Sequence, residues 1–198
     1  MIVEFYGIPG SGKTYCADIY KRQLAQDEVP YIDLSRCSKT PLWLKILYKI
    51  VDKCIYFVPR YYKINRKLKS LCRQAKPKYL PFSLHYCVNR IVCSIFLQDF
   101  FGKRKKIAIN DEGLFQWIAF LSVQYGVAVD SVKTILPPVN VNCKNVYVQK
   151  SIENAFANIK QRNRHVCPMD EMPDDDLKNY LVDYNNALEL LKNKGCDE

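Results

Sequence analysis

The sequence predicts an α/β fold built on a parallel sheet with helices on both faces, and three observations carry that prediction. First, Ile2-Val3-Glu4-Phe5-Tyr6 is a short run of strand formers that passes at once into Gly7-Ile8-Pro9-Gly10-Ser11-Gly12-Lys13-Thr14. Second, a helical pattern over 14–25 (Tyr15, Ile19, Leu24) leads to a second strand-like run, Val29-Pro30-Tyr31-Ile32-Asp33-Leu34. A strand, a helix of that length and another strand return parallel. Third, Lys106-Ile107-Ala108-Ile109-Asn110 reads as a buried strand that ends on Asp111-Glu112-Gly113. In open parallel sheets that end of a strand is where ligands bind.

Residues 7–14 have the form G-x-x-x-x-G-K-[ST] between a strand and a helix, the setting that makes the pattern a P-loop. The fold class is therefore the three-layer α/β/α arrangement of P-loop NTPases. Gly7, Gly10 and Gly12, with Pro9 and Ser11 between them, let the backbone curl so that successive N–H groups converge on phosphate oxygens. The positive N-terminal end of the following helix points at the same spot. Lys13 is expected to reach the β- and γ-phosphates and the Thr14 hydroxyl to hold Mg²⁺. ATP and Mg²⁺ are the implied cofactors.

Residues 41–101 contain no glycine and read as helices over about 41–57, 60–75 and 83–101, punctuated by Pro59, Pro77 and Pro81. After the strand at 106–110 a helix runs to about 125. A shorter one starts near Asp130 and is stopped by Pro137-Pro138. Asn145-Val146-Tyr147-Val148 reads as the fourth strand, and Ser151 caps a helix reaching about 162. A polar stretch over 163–173 precedes the last helix, about 174–194, whose acidic first turn (Asp174, Asp175, Asp176) suits the helix dipole. The sheet should hold four or five strands.

The net charge of +10 is concentrated in the middle: residues 40–106 hold sixteen Lys/Arg against only Asp52 and Asp99. Nine cysteines stand singly, without C-x-x-C, which fits reduced thiols in a cytoplasmic protein. His165 and Cys167 have no second pair and do not make a zinc site. No run approaches eighteen uncharged apolar residues, and the strand beginning at residue 2 leaves no room for a signal peptide.

Asp111 is the candidate second Mg²⁺ anchor, and Glu112 the candidate base for an attacking hydroxyl or water, with Asp33 at the tip of the second strand as its competitor. The segment 147–164 is a strand, a turn and a helix ending in Arg162-Asn163-Arg164. It resembles the lid region of the nucleoside and nucleotide kinases, thymidylate-kinase and deoxynucleoside-kinase types included. That resemblance implies that Arg162 and Arg164 fold over the triphosphate and stabilise charge on the transferring phosphoryl group. It implies strand order 2-3-1-4 in a single domain over 1–198, a helical cap at about 41–101 over the acceptor, and a lid at about 160–173. It also implies transfer of the γ-phosphoryl group to a hydroxyl or phosphate of a small acceptor. One departure stands out: Asp111-Glu112-Gly113 occupies the place where many of these kinases carry Asp-Arg or Glu-Arg.

The basic–aromatic stretch of Tyr61, Tyr62, Lys63, Arg66, Lys67, Lys69, Arg73, Lys76, Lys78 and Tyr79 would steer an anionic acceptor. Three other readings remain open: nucleic acid, a solvated helix face, and an anionic membrane surface met by Lys45, Lys49 and Lys53 over 41–58. The rival function is a P-loop ATPase or NTP-gated module in which Glu112 activates water. A signalling GTPase is disfavoured, because Asn193-Lys194 is followed by Gly195-Cys196 and Asp111 lacks a glycine three residues on. The oligomeric state is not readable.

Overall fold

The computed structural model describes residues 1–35, 46, 57–138, 142–162 and 167–192. Its centre is β1 (Ile2–Tyr6), buried at every position. α1 (Lys13–Gln26) and β2 (Tyr31–Asp33) follow, then the two long helices of the insert, α2 (Pro59–Leu71) and α3 (Leu84–Phe101). β3 (Ile107–Asn110), α4 (Leu114–Tyr125), α5 (Val129–Lys133), β4 (Cys143–Tyr147), α6 (Ile152–Gln161) and α7 (Asp174–Lys192) complete the described chain. The expected helix over 41–57 lies almost wholly outside the described residues.

All four strands run parallel in the order β2-β3-β1-β4. This is the P-loop α/β fold, with four strands among the described residues. Central β1 is buried on both faces, as a doubly covered strand must be. Ile2 packs with Leu97 and Phe101 of α3, whereas Val3 and Phe5 pack with Ala17 and Leu24 of α1. The period-two alternation of β1 thus sends successive side chains into two separate helical layers. A larger core joins α2, α3, α4 and α7, including Leu68, Ile91, Leu121, Tyr180 and Leu188.

Element boundaries differ from the sequence expectation where hydrogen bonding overrides composition. Pro30 has no N–H to give a ladder, so β2 begins at Tyr31. β4 starts at Cys143, two residues early, because the register Ile2↔Cys143 extends its pairing along β1. α2 stops at Leu71, where Cys72 and Arg73 N–H close the turn on Leu68 and Ser70 carbonyls. α1 ends with Glu28 in the left-handed region (φ 55°) and Val29 N–H donating to Leu24 O at 2.8 Å, a Schellman-type stop. Among the described residues, Cys16, Cys72, Cys87, Cys93, Cys143 and Cys167 are free thiols.

Candidate functional site

The loop between β1 and α1 is a tight turn with two glycines in the left-handed region, Gly10 (φ 83°) and Gly12 (φ 93°). Gly12 is the N-cap of α1, so the first turn of that helix opens into the loop. Gly10 is also sterically required, because a Cβ there would run into the backbone carbonyl of Ala155 on α6. Gly7 approaches the Val148 carbonyl, 2.5 Å from where a Cβ would stand. From outside, Asn158 Nδ2 on α6 donates to Gly10 O at 2.8 Å, and Gly7 N–H donates to Gln116 Oε1 at 3.2 Å. Gln116 is clamped in turn by the Tyr184 hydroxyl of α7 at 2.7 Å. Inside the loop the Ser11 Oγ is buried without a hydrogen-bond partner, which leaves it available to an oxygen-rich ligand. Ile8 turns into the main hydrophobic core and anchors the turn there.

Lys13 Nζ lies across the loop, donating to Gly7 O at 2.9 Å and Ile8 O at 3.1 Å. Burial pushes its pKa down to about 8. The Glu112 and Asp111 carboxylates pull it back up, and the Arg162 guanidinium pushes it further down. Arg162, the exposed C-cap of α6, therefore stands within electrostatic reach of Lys13. Arg164 lies outside the described residues.

The tip of β3 brings the acids to the same place. Thr14 Oγ1 donates to Asp111 Oδ2 at 3.0 Å. Burial, then the neighbouring Glu112 charge, raises the Asp111 carboxyl above its ordinary range, and the Thr14 hydroxyl works against them. Glu112 points the other way, its Oε2 accepting from Arg90 Nη2 of α3 at 3.0 Å. Arg90 is 7% exposed, stacks over the Trp117 ring at 4.5 Å, and leaves its Nε without a partner. Arg90, Cys93, Ser94, Leu97, Asn110, Asp111 and Glu112 line a gap of about 10 Å³, roughly one water in size. A cleft of about 550 Å³ opens between Lys78, Tyr79 and the Asp176–Asp183 side of α7, and none of its lining residues belongs to the P-loop or the β3 tip.

Asp33 is engaged elsewhere. Its Oδ2 accepts from Lys21 at 2.9 Å and its Oδ1 from Ser35 N–H at 2.9 Å. Burial raises its pKa, but the Ser35 and Lys21 bonds outweigh that and hold it below the ordinary value. At the β3 tip, by contrast, Glu112 sits beside Asp111.

Several site residues were not singled out in the sequence. Arg90 is the lone cation in the apolar stretch Cys87–Leu97, a legible signal. Glu4 is the lone acid of β1, fully buried. It accepts from Leu114 N–H at 2.9 Å, Gln98 Nε2 at 3.0 Å and Asn110 Nδ2 at 3.4 Å, tying the P-loop strand to the β3 tip and the start of α4. Gly113 closes on it: a Cβ there would stand 2.5 Å from Glu4 Oε2. Gln116 and Asn158 carried no signal.

No protein-family model matches the chain, and no curated protein sequence does. Among solved structures it is similar to deoxyadenosine kinase from M. mycoides with bound dATP (TM-score 0.49, 15% identity, covering 98% of this chain and 85% of that one). It is similar also to that kinase with the products dCMP and a flexible dCDP (TM-score 0.47, 17%, covering 100% and 86%). The form with bound dCTP matches at a TM-score of 0.45 and 16% identity, covering 98% and 84%.

Proposed function

We propose that the chain is an ATP-dependent phosphotransferase that moves the γ-phosphoryl group to a hydroxyl or phosphate of a small, anionic acceptor. The observation that supports this most is the meeting of Thr14 and Asp111 at 3.0 Å beside the phosphate loop. A hydroxyl and a carboxylate are the hard oxygen ligands Mg²⁺ takes when phosphate oxygens and water complete its shell. The buried, unpartnered Ser11 Oγ and the glycine turn suit phosphate oxygens. Thr14 and Asp111 would hold Mg²⁺, which would supply neutralisation of phosphate charge.

The chain's own residues then divide the work. The loop N–H groups of residues 7–14 and the start of α1 hold the phosphates. Lys13 exchanges its carbonyl bonds for phosphate oxygens. Arg162 and Arg164, on the lid over 160–173, place positive charge at the transferring group. Glu112 takes the proton of an acceptor hydroxyl, with Arg90 aiming its carboxylate. α3 covers one face of the sheet, and its Arg90, Cys93 and Ser94 line the gap at the β3 tip beside which the acceptor hydroxyl would sit.

ADP release from Mg·ATP, with and without pooled nucleosides, nucleotides, sugars and sugar phosphates, tests this beside Lys13→Ala. Stimulation by one pool that Lys13→Ala abolishes supports the reading. Hydrolysis indifferent to every pool refutes it and returns the ATPase alternative.

A further inference from the structure

Residues 53–98 contain no Asp or Glu. α2 turns Tyr61, Ile64, Asn65 and Leu68 inward, so helical periodicity sends Lys63, Arg66 and Lys67 outward, and all three are exposed. Arg60 pairs with Asp99 at 3.1 Å and the Tyr61 hydroxyl donates to the same carboxylate at 2.9 Å, fixing the start of α2 against the end of α3. At that end Phe57 is 84% exposed, Val58 43% and Phe100 37%. α3 then runs out into Lys103, Arg104, Lys105 and Lys106, four exposed bases in a row.

Solvated protein surfaces ordinarily intersperse both signs of charge. A single-sign face bordered by exposed apolar side chains is instead the pattern of an interfacial element, with cations at the headgroups and apolar groups at the acyl boundary. The sequence just before Phe57 has the same mixture, Lys45, Lys49 and Lys53 among Leu47, Ile50, Val51 and Ile55. The exposed apolar side chains include the aliphatics Val58 and Leu71 as well as the aromatics Phe57, Tyr62 and Phe100; an acyl boundary accepts both kinds, whereas base stacking uses the aromatics alone, which favours lipid over a nucleic acid strand. No helix among the described residues is long and apolar enough to cross a membrane.

We propose that the outer face of α2, with the basic turn after α3, docks the protein on an anionic lipid surface, Phe57 and Val58 entering the headgroup layer. This goes beyond the phosphotransfer reading and stands or falls without it. The test is co-sedimentation of the full chain with phosphatidylcholine vesicles, with and without phosphatidylserine, beside fluorescence titration of labelled single-stranded DNA at the same salt. The wild type should bind only the phosphatidylserine vesicles, less as salt rises. The triple variant Lys63→Glu, Arg66→Glu, Lys67→Glu should bind at least about tenfold more weakly, with an unchanged circular dichroism spectrum. Lys105→Glu with Lys106→Glu is the second variant and should weaken binding in the same direction. Equal binding to both vesicle types, both variants binding like wild type, or DNA binding without vesicle binding would each overturn the proposal.

Discussion

Replacing Thr14 by alanine removes one hydroxyl and one methyl group from an exposed side chain. The lost bond to Asp111 is 3.0 Å long and exposed, so folding stability by itself should change by no more than about 0.5–1.5 kcal/mol. The nucleotide-dependent part should change more. A ligand at a hundred times its Kd stabilises the folded state by about 2.7 kcal/mol. For a domain of this size each kcal/mol is about 2–4 °C of melting temperature, so saturating Mg·ATP should raise the wild-type midpoint by about 5–11 °C. A tenfold weaker Kd removes about 1.4 kcal/mol of that, leaving Thr14→Ala roughly 3–5 °C. Thr14→Ser, which keeps the oxygen, should retain most of the wild-type shift. The assay is a thermal melt in Mg·ATP against ATP with EDTA. An undiminished magnesium-dependent shift in folded Thr14→Ala would refute the pairing of Thr14 and Asp111 as the metal anchor.

Lys13, pushed down to about 8 by burial from an ordinary 10.5, holds fewer protons folded than unfolded between those values. Relative to Lys13→Met, wild-type stability should therefore rise with pH across that window while ATP affinity falls; parallel pH profiles for the two proteins would contradict this. Arg90→Met removes a guanidinium whose partner Glu112 is half-exposed, so urea stability should stay within about 1 kcal/mol of wild type. Turnover should drop at least about tenfold as Glu112 loses its aim, and unchanged turnover would remove Arg90 from the positioning role. Gly113→Ala meets no backbone strain at φ −74°, yet its Cβ would stand 2.5 Å from the Glu4 carboxylate. Overpacking of that kind costs about 1–3 kcal/mol in urea unfolding, and a change below about 0.5 kcal/mol would show the contact to be soft.

How much of this was legible follows from the range of each interaction. Residues 7–14 declare a phosphate loop because the geometry is written in eight consecutive residues, and local backbone freedom is a local property. α2 and α3 could be bounded because Pro59, Pro77 and Pro81 act on their own neighbours. The buried lone charges Glu4 and Arg90 were legible as oddities in apolar runs, but not as partners. Glu4 reaches Leu114 across 110 residues and Arg90 reaches Glu112 across 22. Asn158, which holds Gly10 O from 148 residues away, looks in the sequence like any exposed helix polar residue.

By itself, then, the sequence determined the parallel α/β class, the P-loop with Lys13 and Thr14, the acidic tip of β3, and the cationic middle segment, since each is a matter of residue type and short-range spacing. The tertiary structure alone decided which acid meets which partner. The registers Ile2↔Ala108 and Tyr31↔Ile107 bring both Asp33 and Asp111 to the same sheet edge. Asp33 is then consumed by Lys21 of α1, while Asp111 is left to Thr14 and Glu112 to Arg90. Those choices depend on how α1 and α3 pack on opposite faces of one sheet, a long-range outcome that burial of Ile2, Val3 and Phe5 enforces and that no local pattern encodes.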